Sequence, residues 1–123
     1  MLIFKTRHFA KWADKHGVDD SLLITAVYDI ALGLVDTDYG GFLYKKRIAT
    51  KGRGKSGSVR TLLAIHVNNK AYFLYGFEKN EQANISHKEK AAYKLLAKSM
   101  LGLTAKDIIE RLQEGSLLEV KNE

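Results

Sequence analysis

The sequence predicts a small α+β domain, and three observations carry that reading. Two segments of helical period open the chain, runs of period two follow Gly41, and helical patterning resumes behind a capping box at Ser86. With 123 residues, one domain buries about two-thirds of its unfolded surface, so no staple is required.

Residues 2–5 alternate weakly and suggest a short strand. Thr6 is placed to cap a helix that carries Phe9, Trp12, Ala13 and His16 on one face, and Gly17 stops it. Asp19, Asp20 and Ser21 offer the next cap. The helix behind them sets Leu23, Val27, Ile30 and Leu34 in register, flanked by Ile24, Ala31 and Val35. It is expected to end before the polar Asp36-Thr37-Asp38 and the Gly40-Gly41 pair.

Residues 42–49 then read as a strand with Leu43, Lys45 and Arg47 on one face. Residues 50–57 hold Gly52, Gly54 and Gly57 among cations, which predicts a loop. Residues 58–67 and 70–77 are β-rich and flank Asn68-Asn69, a natural two-residue hairpin turn. That turn sets Val67 against Lys70, His66 against Ala71, Leu62 against Tyr75 and Arg60 against Phe77. Arg60 and Tyr75 become diagonal neighbours on one face. Ser86 and Glu89 form a capping box ahead of Ala92, Leu95, Leu96 and Ser99, and Gly102 closes that helix. Thr104 and Asp107 open another through Ile108, Ile109 and Leu112 to Gly115. Residues 116–120 read as a last short strand or a tail.

Composition narrows the function. Without cysteine there is neither a disulfide framework nor a thiolate metal site. No stretch approaches a membrane span, and the apolar run at the N-terminus is too short for a secretory signal, which points to a soluble cytoplasmic protein. The four histidines, His8, His16, His66 and His87, lie in separate segments without paired-ligand spacing, so each reads as a surface or core residue and no metal is expected.

The net charge is +6, but the basic residues are focused. Lys45, Lys46, Arg47, Lys51, Arg53, Lys55 and Arg60 fall in one window with no acid, so the window holds +7 and the other residues sum to −1. A field of one sign concentrates polyanions, while a merely solubilising surface mixes signs. Cations on a strand and a glycine-rich loop suit phosphate, because glycine lets backbone amides approach and arginine adds bidentate geometry. Gly54-Lys55-Ser56 matches the end of a nucleotide-binding loop, but Ala49 stands where its first glycine belongs and a strand follows instead of a helix, which excludes an NTPase.

Tyr72 and Phe73 read as sheet core. Tyr75 has two readings, core or a platform for a base beside a guanidinium. Gly76 leaves room for a ligand or a backbone, or marks a bulge. Lys79, Asn80 and Glu81 leave the strand on the Arg60 side, either finishing a site or forming an ordinary loop.

The order of Gly41-Phe-Leu-Tyr-Lys-Lys-Arg-Ile-Ala49, Lys51-Gly-x-Gly-Lys-x-Gly57, Arg60 and Phe73-x-Tyr-Gly-Phe-x-Lys-Asn-Glu81 resembles the RelE/HigB-like toxins of type II toxin–antitoxin systems. The resemblance spans nearly the whole chain. It implies a single domain with two N-terminal helices packed on a small twisted, mostly antiparallel sheet and one or two C-terminal helices. Residues 104–123 run beyond the usual last helix as a possible extension, on which the resemblance is silent. It also implies a ribosome-dependent endoribonuclease acting on mRNA, and a cognate antitoxin with a DNA-binding domain. Lys45 and Arg47 fall on the family's basic strand, Lys51, Arg53 and Lys55 on its cationic loop, Arg60 on its sheet arginine, Tyr75 on its strand-end aromatic, and Lys79, Asn80 and Glu81 on its polar tail.

Such chemistry needs no cofactor. A 2′-hydroxyl attacks the adjacent phosphate and expels the next nucleotide's oxygen, provided one group deprotonates the hydroxyl, cations steady the phosphorane and another group protonates the leaving oxygen. Arg60 is the expected clamp, with Lys51, Lys55 and Arg47 steering and stabilising. A lysine among cations loses its proton more readily and is one candidate base, and Glu81 is another. Tyr75 either stacks a base or moves a proton. Two rivals stay open: a non-catalytic RNA- or ribosome-binding module, and a relative directed at a protein target such as DNA gyrase.

Overall fold

The computed structural model describes residues 1–50, 57–66, 69–79 and 82–121. Strand β1 (Leu2–Thr6) runs directly into helix α1 (Arg7–Lys15), because the Thr6 side chain accepts from the Phe9 amide and caps the helix. Asp19 caps helix α2 (Asp20–Ala31) in the same way through the Leu22 amide. This helix is shorter than its periodicity suggests. Gly33 adopts φ +87°, a left-handed turn that breaks the helix and leaves Leu34 exposed.

Strands β2 (Thr37–Gly40), β3 (Leu43–Ala49), β4 (Ser58–Ile65) and β5 (Lys70–Glu78) follow. Helices α3 (His87–Leu101) and α4 (Ala105–Glu114) each begin with a complete capping box, Ser86–Glu89 and Thr104–Asp107. Strand β6 (Leu117–Glu119) closes the chain against β1. The six strands lie in the order β2-β3-β4-β5-β1-β6, antiparallel except for β1 beside β5. The architecture is therefore α+β with a mostly antiparallel sheet.

Helices cover both faces. Phe9 and Ala13 of α1 pack with Leu23, Val27 and Ile30 of α2 against Ile48, Leu63 and Phe73. Ala97 and Met100 of α3 and Ile108 of α4 pack on the opposite face against Leu43, Leu62, Ala64 and Tyr72. Each fully buried large side chain contributes about 1.5–3 kcal/mol. The buried side of α3 differs from the one expected: Ala97 and Met100, with half-buried Tyr93, face the sheet, whereas Ala92, Leu95, Leu96 and Ser99 face solvent.

The β4–β5 hairpin departs from its expected register at one end only. Ile65, not His66, opposes Ala71, and His66 bonds to Lys70. The register then shifts between Leu62 and Leu63, where Leu74 is the additional residue on β5. Beyond that bulge Leu62 opposes Tyr75 and Arg60 opposes Phe77, as the simple hairpin predicted. A longer connection and a one-residue bulge cancel.

Candidate nucleic-acid interface

Two rows of cross-strand neighbours build the site on the α3 face of the sheet. Lys45, Leu62 and Tyr75 form one row; Arg47, Arg60 and Phe77 form the next. Along β3 this face passes from buried Leu43 through half-buried Lys45 to Arg47, whose side chain is 58% exposed. Covered core thus gives way to open cation within one strand. Arg60 is half-buried and donates from Nη1 to the Ser58 hydroxyl at 3.3 Å, leaving other guanidinium donors for a ligand.

The cation cluster is less uniform than its sequence. Lys46 points to the opposite face, where its Nζ lies 3.4 Å from an Asp29 carboxylate oxygen and donates to the Leu34 carbonyl at 2.9 Å. It serves the packing of α2. Arg47 has an acid nearby that the window did not contain: Asp36 Oδ1 is 3.9 Å from Nη2, and Asp36 also accepts from the Arg47 amide.

Lys51, Arg53 and Lys55 of the expected cationic loop, and Asn80 and Glu81 of the expected polar tail, lie outside the described residues. The chain on either side of both segments sits at this end of the sheet. Thr50 donates its amide to the Gly57 carbonyl beside the Ala49–Ser58 pair, and Gln82 donates to the Glu78 carbonyl at the end of β5. Lys79 is exposed in the turn that follows β5.

Tyr75 stands within an aromatic group. Its ring centroid is 5.3 Å from Tyr93, 5.9 Å from Phe77 and 6.3 Å from His8, the last almost parallel at 2°. Its hydroxyl donates to Gln82 Oε1 at 3.0 Å. Burial, then Tyr75 and Glu89, push the Tyr93 hydroxyl up to about 12, so near neutral pH Tyr93 stays protonated. His8, Gln82 and Tyr93 are additions that sequence reasoning missed. The signal for His8 was the parallel pairing of β1 with β5: Lys5 opposes Phe73, so the chain beyond Lys5 turns over Tyr75. No local pattern announces that pairing.

Gly76 serves neither a ligand nor the bulge. A Cβ there would lie 2.2–2.5 Å from the Trp12 ring, so the glycine makes room for the indole of α1. His16 is likewise structural, with Nδ1 2.7 Å from the Trp12 carbonyl and Nε2 3.2 Å from Glu78.

These features define a small α+β protein that presents arginines and an aromatic edge on one end of an otherwise covered sheet face. The family model described as the RelE toxin of the RelE/RelB toxin–antitoxin system matches residues 1–120. The chain belongs to this toxin family, whose members pair with an antitoxin. No curated protein matches it. Among the described residues no helix is long and apolar enough to cross a membrane.

Proposed function

We propose that this toxin is a ribosome-dependent endoribonuclease that cuts mRNA. The 2′-hydroxyl gives up its proton and attacks the adjacent phosphate, the bond to the 5′-oxygen of the next nucleotide breaks, and that oxygen takes up a proton as it leaves. The observation that carries the reading is the pairing of Arg47 with Arg60 one row from Lys45 and Tyr75 on an open end of the sheet. Arginine forks suit a phosphate whose negative charge grows in the transition state, and fixed cations stabilise it without reorganisation. Arg60 is the clamp, and Arg47 and Lys45 steer the backbone. Lys51, Lys55 and Glu81 are the proposed proton-handling and stabilising groups, with Arg53, Lys79 and Asn80 binding RNA. The antitoxin silences the toxin by covering this end of the sheet.

Arg60→Ala tests the reading. The variant is expected to keep its circular dichroism spectrum and to lose cleavage by a factor of about 100 or more, since one fixed charge of this kind contributes about 3 kcal/mol. Primer extension on ribosome-bound message reads the cut. A folded Arg60→Ala protein cutting at the wild-type rate would remove Arg60 from the site. A protein that binds ribosomes but never cuts would favour a non-catalytic module.

A further inference from the structure

Helix α3 carries a second basic stripe. Lys90, Lys94 and Lys98 recur every fourth residue and so share one side of the helix. Among the described residues, none of the ion pairs involves any of the three. Beside this stripe opens a cavity of about 970 Å³, lined by Phe42, His66, Leu95 and Leu101 together with Lys94 and Lys98.

The apolar walls are unusually open to water. Leu95 is 71% exposed and Phe42 49% exposed. Phe42 is also the one non-glycine residue with positive φ among those described, at +65° directly after Gly40 and Gly41. A bulky side chain resists that conformation, so the backbone holds the Phe42 ring at the groove against a local cost. The ring rests 5.0 Å from His66. Lys94 reaches over Gly40, where an added Cβ would lie 3.6 Å from its Nζ. His66 lies six residues along the chain from Arg60, roughly 20 Å at the rise of a strand. The groove is therefore separate from the arginine row.

We propose that this groove anchors an acidic amphipathic segment of the antitoxin. Apolar side chains of the segment cover Leu95, Leu101 and Phe42, and its carboxylates pair with Lys94 and Lys98. Charge complementarity selects an acidic partner, and the apolar walls select protein over nucleic acid, since phosphates on the lysines would leave Leu95 and Phe42 in water. The inference rests on membership of the toxin family and not on RNA cleavage. Anchoring here and blocking the Arg60 end are distinct tasks for one partner.

The test uses the toxin–antitoxin pair as co-expressed, with the antitoxin tethered and toxin dissociation followed by interferometry. Leu95→Asp and the double change Lys94→Glu/Lys98→Glu are each expected to weaken binding about tenfold or more. The charge reversal should do so most strongly at low salt. Both variants should still arrest growth without antitoxin and keep the wild-type melting temperature, and Leu95→Ser serves if the aspartate disturbs folding. Wild-type binding by all variants overturns the proposal. A loss confined to Leu95 also overturns it, because the occupant would not be acidic. Charge-reversal variants that keep the antitoxin but lose ribosome binding would make the stripe a nucleic-acid surface instead. None of these readouts depends on cleavage, so failure of the nuclease reading would be seen separately at Arg60.

Discussion

Arg47 and Arg60 stand directly opposite each other across β3 and β4, two guanidinium groups on one face of the sheet. Like charges in that relation disfavour the pairing of their strands, and the Asp36 carboxylate beside Arg47 relieves only part of it. The arrangement makes physical sense when a polyanion lies across both. A phosphate between two guanidiniums converts their repulsion into a shared attraction.

That relationship predicts opposite effects on stability and binding. Arg47→Thr places a good strand former opposite Arg60. The free protein should be unchanged or more stable by up to about 0.5 kcal/mol, because the exposed pair with Asp36 contributes little. RNA binding should weaken at every sequence, and its salt dependence should fall by about one counterion. Urea unfolding and filter binding across a salt series give both numbers. Affinity that stays flat as salt rises would show that this face does not meet phosphate.

Gly76→Ala should be among the most damaging small changes in the chain. The new methyl would sit 2.2–2.5 Å from carbons of the Trp12 ring, so α1 must shift away from β5. Overpacking of this kind costs about 1–3 kcal/mol. Trp12 is the only tryptophan, so its fluorescence should shift to the red as the indole gains water. Trp12→Leu in the same chain should recover part of the loss. A Gly76→Ala protein as stable as wild type would mean that the indole has another place to go.

Tyr93 sets the alkaline behaviour. Burial raises its hydroxyl from 10.0 to about 12. The sign follows from linkage: below pH 10 tyrosine is neutral in both folded and unfolded chains, and its contribution is fully present. Between pH 10 and 12 the unfolded chain ionises first, so stability declines as pH rises through that window. Tyr93→Phe should flatten part of the decline, and ultraviolet titration should lose a phenolate step near pH 12. Tyr39, Tyr44 and Tyr72 are also raised by burial, so the flattening is partial. An unchanged titration would place Tyr93 in contact with water.

What was legible in the sequence was chiefly local. Thr6, Ser86 with Glu89, and Thr104 with Asp107 start their helices through bonds three residues long, and three-residue patterns are visible in a string. Long-range pairings were not. Strand β2 is an edge strand of four residues with one large side chain, so the polar Asp36-Thr37-Asp38 marked only the end of the preceding helix. The Arg60–Phe77 register emerged correctly although the path to it did not, since the Leu74 bulge offsets the longer connection. On α3 the residues Leu95 and Leu96 suggested a core face, yet Ala97 and Met100 face the sheet and leave the leucines outside. For the candidate site, the charged residues announced themselves, whereas His8, Gln82 and Tyr93 are joined to it only by tertiary structure.

Tyr75 is the residue at which the two readings of the candidate site, base platform and proton carrier, can be told apart. Its ring is half-buried among His8, Phe77 and Tyr93, and its hydroxyl donates to Gln82 Oε1 at 3.0 Å. A ring so held is suited to stacking a base, and stacking contributes about 1–3 kcal/mol per base. Tyr75→Phe keeps the ring and removes the hydrogen bond to Gln82, which should cost about 1 kcal/mol of stability and little cleavage. Tyr75→Ala removes the platform and should lower cleavage at least tenfold, chiefly through weaker binding of message. Primer extension at saturating and limiting ribosome concentrations separates binding from the chemical step. If Tyr75→Phe is as inactive as Tyr75→Ala at saturation, the hydroxyl carries a proton and the stacking role is wrong. If both cut like wild type, Tyr75 is sheet core, and Arg60 acts without an aromatic partner.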